Sequence, residues 1–232
     1  SVEGINFKAM KGQTIGVIGG TGSGKSSLVN LIPRLYDATQ GEVLVDGVNV
    51  KDYDIEALRN KVGIVMQKAV LFKGTIRENM WMGKKGATDE QIDEALEISQ
   101  SKEFVDSKQG RLDYVIEQGG KNLSGGQRQR LTIARAIVRK PDVLILDDSA
   151  SALDFATDAA LRKAIRGMNN SPTVFIVSQR AASLMYADLI IVLDDGQVAG
   201  MGTHDELLAN CEVYKEIYES QFKKADSEGG VA

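Results

Sequence analysis

Three short stretches of this 232-residue chain place glycines, hydroxyls and carboxylates where phosphate chemistry needs them. The first is GGTGSGKS, comprising Gly19, Gly20, Thr21, Gly22, Ser23, Gly24, Lys25 and Ser26, with Ser27 following; it fits the pattern G-x-x-x-x-G-K-[ST]. Glycines let backbone N–H groups curl around phosphate oxygens, and a helix start behind them adds favourable partial charge. Lys25 is placed to reach β- and γ-phosphates, and the Ser26 hydroxyl to ligate Mg²⁺. The bland alternative, a glycine-rich turn, is disfavoured by the apolar strand before it and the helical pattern after it. The second stretch is VLILDD, an apolar strand running into Asp147 and Asp148. Acids at the end of a buried strand are costly unless a metal or a reaction uses them. Asp147, first off the strand, is expected to hold the metal through water, and Asp148 to project toward an attacking water. The third is LSGGQ: Leu123, Ser124, Gly125, Gly126 and Gln127. It enters a helix with Leu131, Ala134 and Val138 on one face, and alone it is an ordinary helix start.

These stretches need a scaffold, and the rest of the sequence supplies one. Thr14 to Ile18 reads as a strand, and Leu28, Leu31, Ile32 and Leu35 recur at helical spacing after the first glycine loop. Glu42 to Val50, turning at Asp46-Gly47, reads as a hairpin, and Val62 to Met66 as a short buried strand. From about Gly74 to Lys140 the pattern is helical, with a capping box at Thr88 and Gln91. Val143 to Leu146 and Thr173 to Val177 are continuous apolar runs, the mark of strands covered on both faces, and Phe155 to Met168 is a helix between them. Ile190 to Leu193 and Gln197 to Gly200 flank a hairpin turn at Asp194-Asp195-Gly196. The expectation is a mostly parallel α/β sheet with a helical insertion. One domain covers 1–223, its helical part spans about 74–140, and 224–232 is a flexible tail.

Composition narrows the classes. Charged residues make up 26% and the formal net charge is −4, so the chain does not advertise a polyanionic partner, and no nucleic acid is expected. The basic run Arg128, Arg130, Arg135, Arg139 and Lys140 reads as a solvated helix face. Cys211 is the only cysteine, which rules out an internal disulfide and suits a reducing compartment. No apolar run approaches the roughly 18 residues of a membrane helix, so a membrane connection would come from sequence outside this chain.

With GGTGSGKS, LSGGQ and VLILDD in this order, the chain resembles the ATP-binding cassette (ABC) family over nearly its whole length. The three stretches look like that family's Walker A loop, signature and Walker B strand. SALD, Ser151 to Asp154, looks like its D-loop. Gln67, after a short strand, matches the Q-loop glutamine that touches Mg²⁺ and the water. The resemblance implies a P-loop NTPase (RecA-like) core with an α-helical subdomain, a partial antiparallel β-subdomain, and ATP and Mg²⁺ as cofactors. It further implies head-to-tail pairing with a second ABC ATP-binding domain, so that Ser124 and its helix start would cap the γ-phosphate held by the partner. LFKGTIRENM, Leu71 to Met80, looks like the exporter branch, where this region faces a transmembrane domain. The implied location is the cytoplasmic face of the cell membrane, through transmembrane segments not in this chain. A DNA-repair or chromosome-structure ATPase of the same family would need a long coiled-coil insertion or a basic stripe, and the sequence shows neither.

Two residues depart from the family pattern. The usual glutamate after the Walker B aspartate is here Asp148, one methylene shorter, and the usual histidine after the strand at Thr173–Val177 is here Gln179. Misplacing a water-positioning carboxylate by about 1 Å costs on the order of 10²-fold, and a neutral amide cannot serve as an imidazole acid or base. Together they resemble the degenerate half of a heterodimeric bacterial multidrug exporter, whose non-identical partner carries Glu and His. The alternative is an ordinary homodimeric ABC ATPase in which Asp148 suffices. The only histidine, His204, falls in a capping segment, GTHDELL, and is expected to be structural. The family's adenine-stacking aromatic is expected upstream of Ser1, with Phe7 in the core.

Overall fold

The computed structural model describes the backbone of residues 2–149 and 152–228, with side chains through Gln221. Ser151, expected in the D-loop, lies outside the described residues. The chain divides into two compact units, Ser1–Arg59 with Thr173–Ala232, and Asn60–Pro172.

In chain order, the first stretch carries β1 (Thr14–Gly19), α1 (Lys25–Asn30), β2 (Leu44–Val45), β3 (Val48–Asn49) and α2 (Ile55–Lys61). β1 is buried at every position, as its alternation-free apolar sequence demands. α1 is shorter than the leucine spacing suggests. After Asn30 the N–H groups of Leu31 and Ile32 bond three residues back, to Leu28 and Val29 at 3.2 Å each, and Pro33 ends the helix. Proline has no N–H to continue the ladder and pushes the residue before it out of helical geometry. The hairpin turn falls at Asp46-Gly47, both at positive φ (52° and 78°), with Val45 opposite Val48. Such a two-residue turn twists in the sense of its strands.

The second unit carries β4 (Val62–Val65), β5 (Gly74–Thr75), α3 (Ile76–Trp81), α4 (Asp89–Ile98), α5 (Lys102–Asp106), β6 (Val115–Ile116), α6 (Gly125–Ile137), β7 (Val143–Asp147) and α7 (Phe155–Arg166). β4 and β7 are parallel, with Val62 opposite Val143 and Val65 opposite Leu146. The helical insertion is as expected, apart from the small antiparallel β5–β6 pair inside it. α6 packs on α3, α4 and β4. Leu131 and Ile133 of α6, Met80 of α3 and Ile92 and Leu96 of α4 are fully buried. Truncating any one of them to alanine would cost about 2–5 kcal/mol. Caps set the helix starts: Thr75 with Glu78 and Thr88 with Gln91 both form reciprocal capping boxes.

The arginines of the basic run are not a solvated face, which corrects the sequence reading, whereas Lys140 is exposed as expected. Arg128 donates to the Leu123 carbonyl at 3.0 Å and Arg130 to that of Gln100 at 2.7 Å; Arg135 and Arg139 each reach 2.9 Å, to Val70 and Gly83. Burial pulls the guanidinium pKa values of Arg130, Arg135 and Arg139 below their ordinary value. Guanidinium suits this work because it is weakly hydrated and presents several donors in a fixed plane. These arginines staple loops of the insertion to α6.

The chain returns to the first unit with β8 (Thr173–Val177), β9 (Leu189–Asp194), β10 (Gln197–Gly202), α8 (His204–Asn210) and α9 (Glu212–Glu228). β1 lies between β8 and β9, parallel to both; Val17 faces Val177 and Gly19 faces Leu193. β10 runs antiparallel to β9 through the turn at Asp195-Gly196. Phe7 packs edge-on against Phe175 at 6.2 Å, in keeping with a core role. His204 Nδ1 lies 2.8 Å from the hydroxyl of the fully buried Tyr214, a structural partnership. Burial raises the Tyr214 pKa to about 12. Of the tail expected from residue 224, the part through Glu228 falls on α9, and the remainder lies outside the described residues.

Candidate functional site

The glycine loop leaves β1 at Gly19, and its glycines serve different purposes. A Cβ on Gly19 would sit 2.2 Å from the Leu193 carbonyl oxygen, and one on Gly24 2.2 Å from Val2 Cγ1, so the packing of the first unit forbids side chains there. Gly22 has a φ of 83°, which side chains resist. Gly20 has neither constraint: a Cβ there would meet nothing within 4 Å. Glycine at Gly20 leaves the backbone N–H open to the surface. Lys25 is buried, and its Nζ donates to the carbonyls of Gly19 at 2.9 Å and Gly20 at 2.6 Å. Ser26 and Ser27 are exposed on the first turn of α1, and Thr21 is exposed on the loop. An open cradle, a desolvated ammonium group and an exposed hydroxyl one residue on are a donor set that fits a polyphosphate and a magnesium ion.

Strand register brings Gln179 to the same edge. Val17 and Val177 are opposite one another, so Gly19 and Gln179 each stand two residues beyond a registered pair on adjacent strands. The Ser178 N–H donates to the Val17 carbonyl at 3.1 Å, carrying the pairing one residue further. The Gln179 side chain is exposed.

The second unit repeats this arrangement. Val65 and Leu146 are opposite one another, and two residues beyond them stand Gln67 and Asp148. Here the side chains meet: Gln67 Nε2 donates to Asp148 Oδ2 at 3.2 Å. Asp148 has a φ of 46°, a left-handed turn that aspartate tolerates better than most side chains. Asp147, the last residue of β7, is only 7% exposed.

LSGGQ starts α6. Leu123 is buried, and Ser124 is the N-cap. The Ser124 hydroxyl accepts from the Gln127 N–H at 3.2 Å, and Gln127 Oε1 accepts from the Ser124 N–H at 3.1 Å. This is a capping box, signalled in the sequence by S-x-x-Q and more specific than the ordinary helix start read there. Gly125 and Gly126 lie in the first turn, and a Cβ on Gly126 would come within 3.3 Å of the Ala152 carbonyl. Asp154 caps α7, accepting from the Thr157 N–H at 2.9 Å and its hydroxyl at 2.7 Å. Those two bonds hold the Asp154 carboxyl below the usual aspartate range. One group escaped sequence reasoning entirely: Gln221 of α9, which bonds the backbone on both sides of Arg180.

Comparison with known proteins gives the arrangement its relatives. The ABC transporter family matches residues 2–151. The uncharacterized ABC transporter ATP-binding protein YfiB of Bacillus subtilis is 45% identical over 224 residues, which are 97% of this chain and 39% of that protein. A putative multidrug export ATP-binding/permease protein of Staphylococcus aureus is 40% identical over 217 residues, 94% of this chain and 38% of that one. Among solved structures, a bacterial Atm1-family ABC exporter with ATP bound superposes with a TM-score of 0.89 at 32% identity, covering 95% of this chain and 39% of that one. The chain thus spans about two fifths of the length of these relatives. Its mixed α/β architecture with a mostly parallel sheet is the P-loop NTPase fold of the exporter's ATP-binding domain. Among the described residues no helix is long and apolar enough to cross a membrane. The chain belongs to the ABC transporter family, as an ATP-binding domain.

Proposed function

We propose that this chain is the nucleotide-binding domain of an ABC exporter whose own hydrolytic site is weakened and whose LSGGQ completes the site of a non-identical partner. Magnesium-ATP supplies the phosphoanhydride bond whose hydrolysis powers export. Lys25 and the N–H groups of the glycine loop would neutralise and orient the phosphates, with Ser26 as the first unit's candidate magnesium ligand and Gln67 and Asp147 as the second unit's candidates. Asp148 would face the attacking water, and Gln179 the terminal phosphate. Ser124 and Gly126 present their helix start to nucleotide held by the partner, and the D-loop around Ser151 and Asp154 accompanies that contact. The relatives' names, which pair ATP binding with a permease and with multidrug export, support an exporter working at the cytoplasmic face of the membrane. Transmembrane segments outside this chain would tether it there.

The observation that carries the weakened site is what stands two residues beyond each registered strand pair. One edge offers a carboxylate one methylene shorter than glutamate, and the other a neutral amide rather than imidazole. Neither change touches Lys25 or Ser26, so binding should persist where turnover is poor. A second reading, a homodimeric ATPase with an adequate Asp148, is favoured by the 3.2 Å bond through which Gln67 holds that carboxylate in place.

One experiment separates them. In the transporter containing this chain, Asp148→Glu with Gln179→His should raise single-turnover hydrolysis at this site about tenfold or more, since positioned acid–base groups contribute roughly 10²–10⁴. The two changes should not be additive, because both act on one phosphate. A double variant no faster than the parent, with ATP affinity intact, would favour the second reading.

A further inference from the structure

The turn after β8 is fixed from an element far along the chain. Gln221, on α9, uses both halves of one planar amide: Nε2 donates to the Gln179 carbonyl at 2.7 Å, and Oε1 accepts from the Ala181 N–H at 2.9 Å. The turn lies past the end of β8, where the parallel ladder no longer supplies partners. Its other ties are local: the Arg180 N–H donates to Ser178 Oγ at 2.9 Å, and the Arg180 and Ala181 carbonyls accept from Ser183 and Leu184 at 3.2 and 2.9 Å. Gln221 thus replaces a strand edge with a side chain. Glutamate could accept from Ala181 but would set a carboxylate against the Gln179 carbonyl, so among longer side chains only glutamine satisfies both groups.

The clamp has a rigid base. Tyr214 precedes Gln221 by two helical turns on the same face of α9, and it is fully buried with its hydroxyl 2.8 Å from His204. The His204 and Tyr218 rings lie 5.3 Å apart, one turn further along that face. Sliding α9 would require breaking this cluster, so the amide of Gln221 is delivered to the turn at a defined height.

We propose that Gln221 is a positioning residue for the terminal phosphate: by clamping the peptide groups on either side of Arg180, it sets where Gln179 meets that phosphate. This rests on the reading that Gln179 faces the γ-phosphate. The consequence is that the C-terminal helix, which carries none of the family's motifs, tunes how the site tells ATP from ADP.

The test compares ATP and ADP affinities, each with Mg²⁺, by calorimetry on the 232-residue chain. Gln179→Ala, Gln221→Met, Gln221→Glu and the double variant Gln179→Ala/Gln221→Met are set beside the parent. Gln221→Met keeps the length and removes both bonds, and Gln221→Glu removes only the donor to Gln179. The ATP-over-ADP preference should fall about threefold in both Gln221 variants, the scale of one exchanged neutral hydrogen bond. Gln179→Ala should lower it by at least as much, and the double variant no further than Gln179→Ala alone. Hydrogen exchange at the Ala181 amide should accelerate in Gln221→Met and stay slow in Gln221→Glu. A merely structural Gln221 would lower thermal stability and leave the preference unchanged. That outcome, with Gln179→Ala effective, would overturn the clamp and spare the reading of Gln179. An unchanged preference in Gln179→Ala would overturn that reading and the clamp's role with it.

Discussion

The edges of the two units present the same geometry and treat their side chains in opposite ways. In each, two polar residues stand two positions past a registered pair of parallel strands. In the first unit, what is held is the backbone. Gln221 fixes the turn around Gln179, Lys25 bonds the carbonyls of Gly19 and Gly20, and the Gln179 side chain and the Ser26 hydroxyl stay exposed. In the second unit, the side chains are already engaged: Gln67 bonds the Asp148 carboxylate, and the Ser124 hydroxyl accepts from the Gln127 N–H. A ligand at the first edge meets the exposed Gln179 and Ser26 side chains on a held backbone and shares only the bonds of Lys25 to Gly19 and Gly20, and preorganised groups bind with less cost of rearrangement. A ligand at the second edge must share or displace an existing bond. Binding should therefore be robust and chemistry fragile, and variants that exchange these properties test the contrast.

The largest effect should come from the first edge. Lys25→Ala removes the one ammonium group in the loop and should weaken Mg-ATP binding about 100-fold, the range of a lost charge-assisted bond to phosphate. A calorimetric titration checks it. Affinity equal to the parent's would mean that the backbone alone binds, and that the contrast between the edges is misplaced.

Next come the paired substitutions at Ser124, which separate the cap from the ligand contact. Ser124→Asp keeps an excellent N-cap but sets a negative charge where a partner's phosphate would dock. Ser124→Ala loses the cap, at about 1 kcal/mol. Transporter ATPase activity should fall about 30-fold in Ser124→Asp with an unchanged melting temperature; Ser124→Ala should melt lower and lose less activity. The reverse ranking would make LSGGQ a helix start and nothing more.

The S-x-x-Q spacing shows why some of the molecule was legible in sequence and some was not. Local rules carried far: Asp46-Gly47 and Asp195-Gly196 turned their hairpins, Thr88 and Thr203 capped their helices, and apolar runs became buried strands. Pro33 carries the signal that ends α1 early, whereas the leucine spacing runs past it. The capping box at Ser124 is equally local: LSGGQ reads as a helix start, and S-x-x-Q names the cap. The arginines of α6 were illegible for a different reason. Arg135 reaches a carbonyl 65 residues away in sequence, and Arg130 one 30 residues away, so whether they are solvated depends on loop paths that no periodicity reports. The clamp at Gln221 belongs with them, 42 residues from the carbonyl it holds.

A smaller effect should mark the side-chain pair of the second edge. Gln67→Ala frees Asp148 from its 3.2 Å bond and removes a proposed metal contact. The Mg²⁺ concentration giving half-maximal ATP binding should rise about threefold, while magnesium-free ATP binding stays constant. Gln179→Ala should leave the magnesium requirement unchanged. If both variants shift it equally, the two edges are not performing separate tasks.

The smallest effect contrasts two caps of the second unit. Ser124 caps α6 with a neutral hydroxyl, whereas Asp154 caps α7 with a carboxylate held below its usual range by the Thr157 N–H and hydroxyl. A depressed folded-state pKa means stability that is present above the ordinary aspartate value and lost as pH falls through the folded value. Asp154→Asn keeps a good cap through its one amide oxygen, deletes the charge, and replaces the oxygen that accepts from the Thr157 hydroxyl with an NH2 group. Urea midpoints of parent and variant should therefore differ at about pH 6 and converge toward about pH 2–3. The deficit of Ser124→Ala, which involves no titrating group, should hold across the same range. If the Asp154→Asn deficit also persists in acid, the capping at α7 comes from side-chain geometry, as at α6, and charge plays no part in it.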